Sequence, residues 1–88
     1  MLRGKTKSGF EFELDESIAD DMEFLEALAE AQDDAVRFPA LIERLLGKEQ
    51  KKAFYAHIRG DGKRVPIQAT IDEFTEIMTV AGEQTKNS

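Results

Sequence analysis

The apolar positions of this chain arrive in two rhythms. Phe10, Phe12 and Leu14 alternate with Glu11 and Glu13, and a period of two marks a strand buried on one face. Ser8-Gly9 just before it is a turn signal, which makes Leu2 to Lys7 the partner strand of a hairpin, with a weaker alternation of its own. A lone strand would leave a row of free backbone groups. Without pairing from Leu2 to Lys7, another subunit would have to supply it.

After Leu14 the rhythm becomes helical. Asp15 reads as an N-cap, and Ile18, Met22, Leu25, Leu28 and Ala29 recur at the spacing of one helix face. This predicts a first helix from about Glu16 to Ala31, ended by Gln32-Asp33-Asp34. Its acidic first turn suits the positive end of the helix dipole. Pro39 fits the first turn of a second, short helix to about Leu46, with Leu41, Ile42, Leu45 and Leu46 apolar. Gly47 ends it and opens a third helix, Lys48 to about Arg59, with Phe54, Tyr55 and Ile58 as the buried stripe. Gly60-Asp61-Gly62 is a break. Pro66 opens a fourth helix whose apolar face is Ile67, Ile71, Phe74, Ile77, Met78 and Ala81, with Gly82 as its C′ residue. The predicted fold is therefore mainly α. It is one small four-helix domain over 1–88, with a β-strand or hairpin at 1–14, helices across 15–82 and a polar, frayed tail at 83–88. No internal repeat is visible.

Composition narrows how such a chain holds together. At 88 residues it is one domain, and a chain this short buries only about 60–65% of the surface its unfolded form exposes. It has no cysteine and one histidine, so neither a disulfide nor a Cys/His zinc site compensates. Tight helix packing and burial against a partner remain. The absence of cysteine suits a reducing cytosol. The basic start, Met1-Leu2-Arg3-Gly4-Lys5, is followed by polar residues, unlike a signal peptide. No apolar stretch approaches the roughly 20 residues needed to cross a bilayer.

Charge adds the most to the picture. The net charge of −6 is unevenly spread: Asp15 to Asp34 holds nine acidic residues and no basic one, whereas Ala35 to Arg64 holds eight basic and three acidic residues. One reading pairs these faces within the monomer. The other sets the acidic face of one copy, with Asp20, Asp21 and Glu23, against Arg44, Lys48, Lys51 and Lys52 of the next. That head-to-tail contact generates rings or filaments and predicts a weak, salt-sensitive homo-oligomer.

Chemistry is sparse. Asp20, Asp21, Glu23, Glu26 and Glu30 lie on one predicted helix, but metal sites in helical bundles add Glu-x-x-His motifs, and His57 has none around it. His57 reads as a helix-boundary residue. With one histidine and two serines outside the tail, a nucleophilic triad is not expected. Gly60-Asp61-Gly62-Lys63 lacks the spacing of a phosphate-binding loop. Lys48, Lys51, Lys52 and Arg59 make a modest basic run, but a pI near 4.7 is wrong for a nucleic-acid binder. The expectation is a binding protein with no catalytic residue, metal or cofactor.

Three segments carry a resemblance. Phe10 to Glu30 (FEFELDESIADDMEFLEALAE), Ala40 to Gln50 (ALIERLLGKEQ) and Arg64 to Gln68 (RVPIQ), followed by an Ile/Phe helix and the closing Gly82 to Ser88, resemble small tail assembly chaperones of long-tailed phages and prophages of Gram-positive bacteria. The likeness covers about residues 8–88 and lies in the order of the segments. It implies a protein of the bacterial host's cytoplasm, absent from the mature virion, that binds and solubilises the helical tape measure protein until tail protein polymerises around it. It also implies a longer form made by ribosomal frameshifting. Thr85-Lys86-Asn87 permits the codons ACA-AAA-AAC, which contain the slippery run A-AAA-AAC. The partners implied are the tape measure protein and the major tail protein, with no nucleic acid and no membrane. A chaperone of this type needs an apolar groove between helices, and Phe24, Phe38 and Leu41, near the stripe edges, are the residues expected to line it. Two other classes share the size and charge: an acidic inhibitor that mimics DNA to block a host DNA-binding enzyme, and a structural tail or head completion protein.

Overall fold

A computed structural model describes residues 1–86. The chain forms two strands, β1 (Leu2–Lys5) and β2 (Glu11–Leu14), then three helices, α1 (Met22–Asp33), α2 (Phe38–Arg59) and α3 (Ile67–Lys86), with short 3-10 turns at Glu16–Asp20 and Ala35–Arg37. The fold is mainly helical with an N-terminal antiparallel hairpin, and it has three helices where four are expected from the sequence.

β1 and β2 pair in the register Leu2↔Leu14 through Lys5↔Glu11. The turn is closed by Thr6 N–H to Phe10 carbonyl and Gly9 N–H to Thr6 carbonyl, each at 3.0 Å, with Gly9 at φ 100°. The free edge of β2 is covered from within the chain. Gln50 of α2 accepts from Glu13 N–H and donates to Glu13 carbonyl, both at 2.7 Å. One side-chain amide thus does what a third strand would do, and no second subunit is needed at that point.

The alternation read from the sequence sets the layers. Leu2, Phe10, Phe12 and Leu14 face the helices and are buried, while Arg3, Lys5, Glu11 and Glu13 face water. Phe54, Phe74, Ile42 and Ile77 fill the centre of the core. Phe10 meets Phe54 edge-on at 5.2 Å, and Phe38 meets Phe74 likewise at 5.7 Å. Gly4 sits where α3 crosses β1. A Cβ there would lie 2.5 Å from the Phe12 ring and 3.0 Å from Val80.

The predicted boundaries shift for identifiable reasons. Asp15 does cap a turn, accepting from Ser17 N–H at 3.0 Å, but that turn is the 3-10 segment. The α-helix starts afresh at Met22 because Asp21, with extended backbone, is a second cap that accepts from Glu23 and Phe24 N–H. The expected second and third helices are the two arms of α2. Gly47, at φ 81° and ψ 166°, breaks the helical path inside it, so a glycine read as a terminator acts as a kink. Gly82 does not end the last helix, which runs on to Lys86. The reason is tertiary: Met78, Ala81 and Gly82 line a small cavity with Leu2, Leu14, Ile18 and Leu45, so this end of α3 is docked on the hairpin and the 3-10 turn. Glu83 to Lys86 therefore continue α3. Asn87 and Ser88 of the expected tail lie outside the described residues.

Candidate partner-binding groove

The helical stripe of α3 is buried at Phe74 and Ile77 and opens at Ile67. Phe24, Leu25 and Leu28 of α1 stand beside its Met78 end. At its other end Ile67 and Ile71 are met by α2 and the preceding 3-10 turn, and a groove of about 410 Å³ stays open there. Its walls are Val36, Phe38, Pro39, Ile42, Tyr55, Val65, Ile67 and Ile71, with Thr70 the other polar residue besides Tyr55. Val36 is 83% exposed and Ile67 73% exposed.

The polar groups of the groove are few. Thr70 hydroxyl donates to Pro66 carbonyl at 2.6 Å, so its proton is committed. Lys51 Nζ lies 5.7 Å from the centroid of the Tyr55 ring, within cation–π range, and 3.3 Å from Glu43. The surface is apolar in the middle with a cation at its edge. A wider depression of about 670 Å³ on the outer face of the hairpin is bordered by Arg3, Lys5, Glu11, Glu13 and Gln50. That lining is too charged to seat an apolar segment.

The residues expected to line the groove are mainly core. Phe24, Phe38 and Leu41 are all buried, and Phe38 alone also forms part of the groove wall. Their helical phase gave no way to tell the core from an edge. The better signal lay in the apolar residues outside a regular stripe, Val36 before Pro39 and Ile67 after Pro66.

The charged residues singled out for self-association divide. Asp21 pairs with Arg44 at 3.6 Å, and Lys51 with Glu43 at 3.3 Å, within the monomer. Arg37 likewise joins Glu30 at 3.2 Å. Asp20, Glu23, Lys48 and Lys52 are exposed and make no ion pair among the described residues. The opposition of acidic α1 and basic α2 is thus met partly inside one copy.

One polar cluster was not legible in the sequence. Thr6 and Ser8 hydroxyls both donate to Glu73 Oε2, at 2.8 and 2.7 Å, and Ser8 Oγ lies 2.9 Å from His57 Nε2. Lys7 N–H donates to Glu76. Residues 6–8, 57 and 73–76 come from the hairpin turn, α2 and α3, so the cluster ties three elements together. His57 Nε2 also lies 4.0 Å from the same Glu73 Oε2. The His57 ring, packed 5.6 Å from Phe10, belongs to this tie and is more than a helix boundary.

Asp15 is the titratable group with a resolved perturbation. Ser17 backbone N–H, and then the Ser17 hydroxyl, hold its carboxyl below the usual 3.8. Among the described residues, no cluster of His, Asp and Glu suits a metal ion, and no helix is long and apolar enough to cross a membrane. No protein-family model matches the chain, and no curated protein or solved structure is detectably similar to it.

Proposed function

We propose that this protein is a tail assembly chaperone of a long-tailed phage or prophage. In this reading it binds the tape measure protein in the host cytoplasm, keeps it soluble and is left out of the finished virion. The open apolar groove between α2 and α3 carries the reading, joined to the resemblance of the segments at 10–30, 40–50 and 64–68. A tape measure protein is a long helix with apolar stripes, and a helix laid in a groove is a known mode of peptide recognition. Val36 and Ile67 would supply most of the apolar contact, at about 1.5–3 kcal/mol per fully buried side chain. That suits a complex that tail protein must later displace. The chain acts by binding, with no catalytic residue and no cofactor. DNA mimicry fits less well, because the central span from Ala35 to Arg64 carries a net positive charge.

Co-expression with the tape measure gene tests the reading. The wild-type chain is expected to shift the tape measure protein into the soluble fraction, and Val36→Asp with Ile67→Asp to lose this while keeping the helical circular-dichroism signal. A tape measure protein that stays insoluble beside wild-type chain would sink the proposal. The gene offers a second check. An A-AAA-AAC run at Thr85-Lys86-Asn87, with an overlapping frame ahead of a long helical gene, is expected. Its absence together with that of the frame removes the frameshift part of the reading.

A further inference from the structure

Met1 apart, the large exposed apolar residues fall into two patches with different surroundings. One is the groove at Val36, Ile67 and Ile71. The other is a ridge on α1, where Met22 is 73% and Leu25 56% exposed. The ridge is set in carboxylates: Asp20, Asp21, Glu23 and Glu26 surround it in sequence, and no cation occurs between Asp15 and Asp34. Around the groove Lys51 lies over Tyr55 and pairs with Glu43, Asp34 beside the Val36 wall pairs with Arg37, and Lys63 and Arg64 are exposed in the loop that ends at Val65 in its wall.

We propose that the occupant of the groove in the isolated protein is the α1 ridge of a second copy. The exposed end of α3 bears on this too. Ile67, Ile71, Phe74 and Met78 follow one another at intervals of four, three and four residues, so they form a single stripe on α3. In the chain itself Met78 lines one depression with Phe24, Leu25 and Leu28 of α1, while at the other end Ile71 is half-buried and Ile67 exposed. An α1 from another copy, laid in the groove, would cover Val36 and Ile67 with its own Met22 and Leu25. Its acidic flanks then meet Lys63 and Arg64. This contact differs from a purely ionic one between acidic α1 and Arg44 or Lys51, since Arg44 is engaged by Asp21 and Lys51 by Glu43 in the same copy. It does not depend on the phage reading. In a chaperone, self-association through the groove would shield it until a partner helix displaces the second copy.

Sedimentation equilibrium on the full chain tests the proposal. The weight-average mass is expected to rise with concentration, and to fall back in about 1 M salt, where the Debye length is roughly 3 Å. Met22→Ser with Leu25→Ser removes the ridge. Val36→Ser with Ile67→Ser removes the groove walls. Neither pair alters charge or the buried core, so circular dichroism should be unchanged. Each pair is expected to weaken association about a hundredfold, given the apolar area lost. The two variants mixed retain one intact ridge and one intact groove and should form a 1:1 complex. A wild-type chain that is monomeric throughout, an oligomer indifferent to both variants, or a mixture that remains monomeric would each overturn it.

Discussion

Asp15 shows how much one side chain decides locally. Its carboxylate accepts from Ser17 N–H at 3.0 Å and from Ser17 hydroxyl at 2.8 Å, and these bonds depress its pKa because they favour the charged form. The sign follows from linkage. A carboxyl depressed on folding contributes stability that is complete above its unfolded pKa and is lost as pH falls through the lower, folded value. The expected NMR titration of Asp15 therefore has a midpoint below 3.8, and Ser17→Ala should raise it by removing the hydroxyl while leaving the N–H bond. Phe54 is the opposite kind of residue, fully buried and in edge contact with Phe10. Phe54→Ala is expected to cost about 3–5 kcal/mol through lost transfer energy and a residual cavity, measurable as a lower denaturation midpoint in urea. Against a typical domain stability of about 5–15 kcal/mol, that is enough to leave a sizeable unfolded population.

At the scale of elements, two glycines mark where the backbone constrains the sequence. Gly47 has φ 81° and ψ 166° within α2, a region that essentially only glycine enters without strain. Open space surrounds the position, so the penalty for Gly47→Ala is conformational and not steric: about 1–3 kcal/mol by chemical denaturation. An unchanged or raised midpoint would show that the two arms of α2 straighten at no cost. Gly4 is the reverse case. Its conformation is ordinary, but a Cβ would collide with Phe12 and Val80. Gly4→Ala should push α3 off the hairpin and destabilise the fold by about 1–3 kcal/mol. The hairpin and α3 are held further by Thr6, Ser8 and Glu73, and the hairpin and α2 by Gln50 on Glu13. A two-stranded hairpin is marginal by itself, so these ties and the buried Phe10, Phe12 and Leu14 are what keep it folded.

For the molecule as a whole, the division between core and exposed apolar residues makes a prediction that separates structure from binding. Phe24 and Leu41 are core. Either of them changed to Asp buries an unpaired charge and should abolish the helical circular-dichroism signal at room temperature. Val36→Asp or Ile67→Asp changes a residue that water already reaches, so stability should move by roughly 0.5 kcal/mol or less. If Ile67→Asp unfolds the chain as Leu41→Asp does, the groove is part of the core and the binding surface lies elsewhere.

What the sequence by itself determined is whatever depends on near neighbours in the chain. The alternation at Phe10–Leu14 specified a strand and its buried face. Ser8-Gly9 specified the turn. Asp15, Pro39, Gly60 and Pro66 marked element ends close to where they fall, and the 3.6-residue stripes picked out Ile42, Leu45, Phe54, Phe74 and Ile77 as core. These follow from local backbone sterics and from periodicity, which act within a few residues. The tertiary structure alone decided how far β1 and α2 would cover the α3 stripe, and hence that Val36 and Ile67 border an open groove while Phe24 and Leu41 do not. It also carried α3 past Gly82, bent α2 at Gly47 without ending it, and gathered Thr6, Ser8, His57 and Glu73 around one carboxylate. Each of these depends on contacts between residues far apart in sequence, and a helical stripe records only that a face will be buried, not by what.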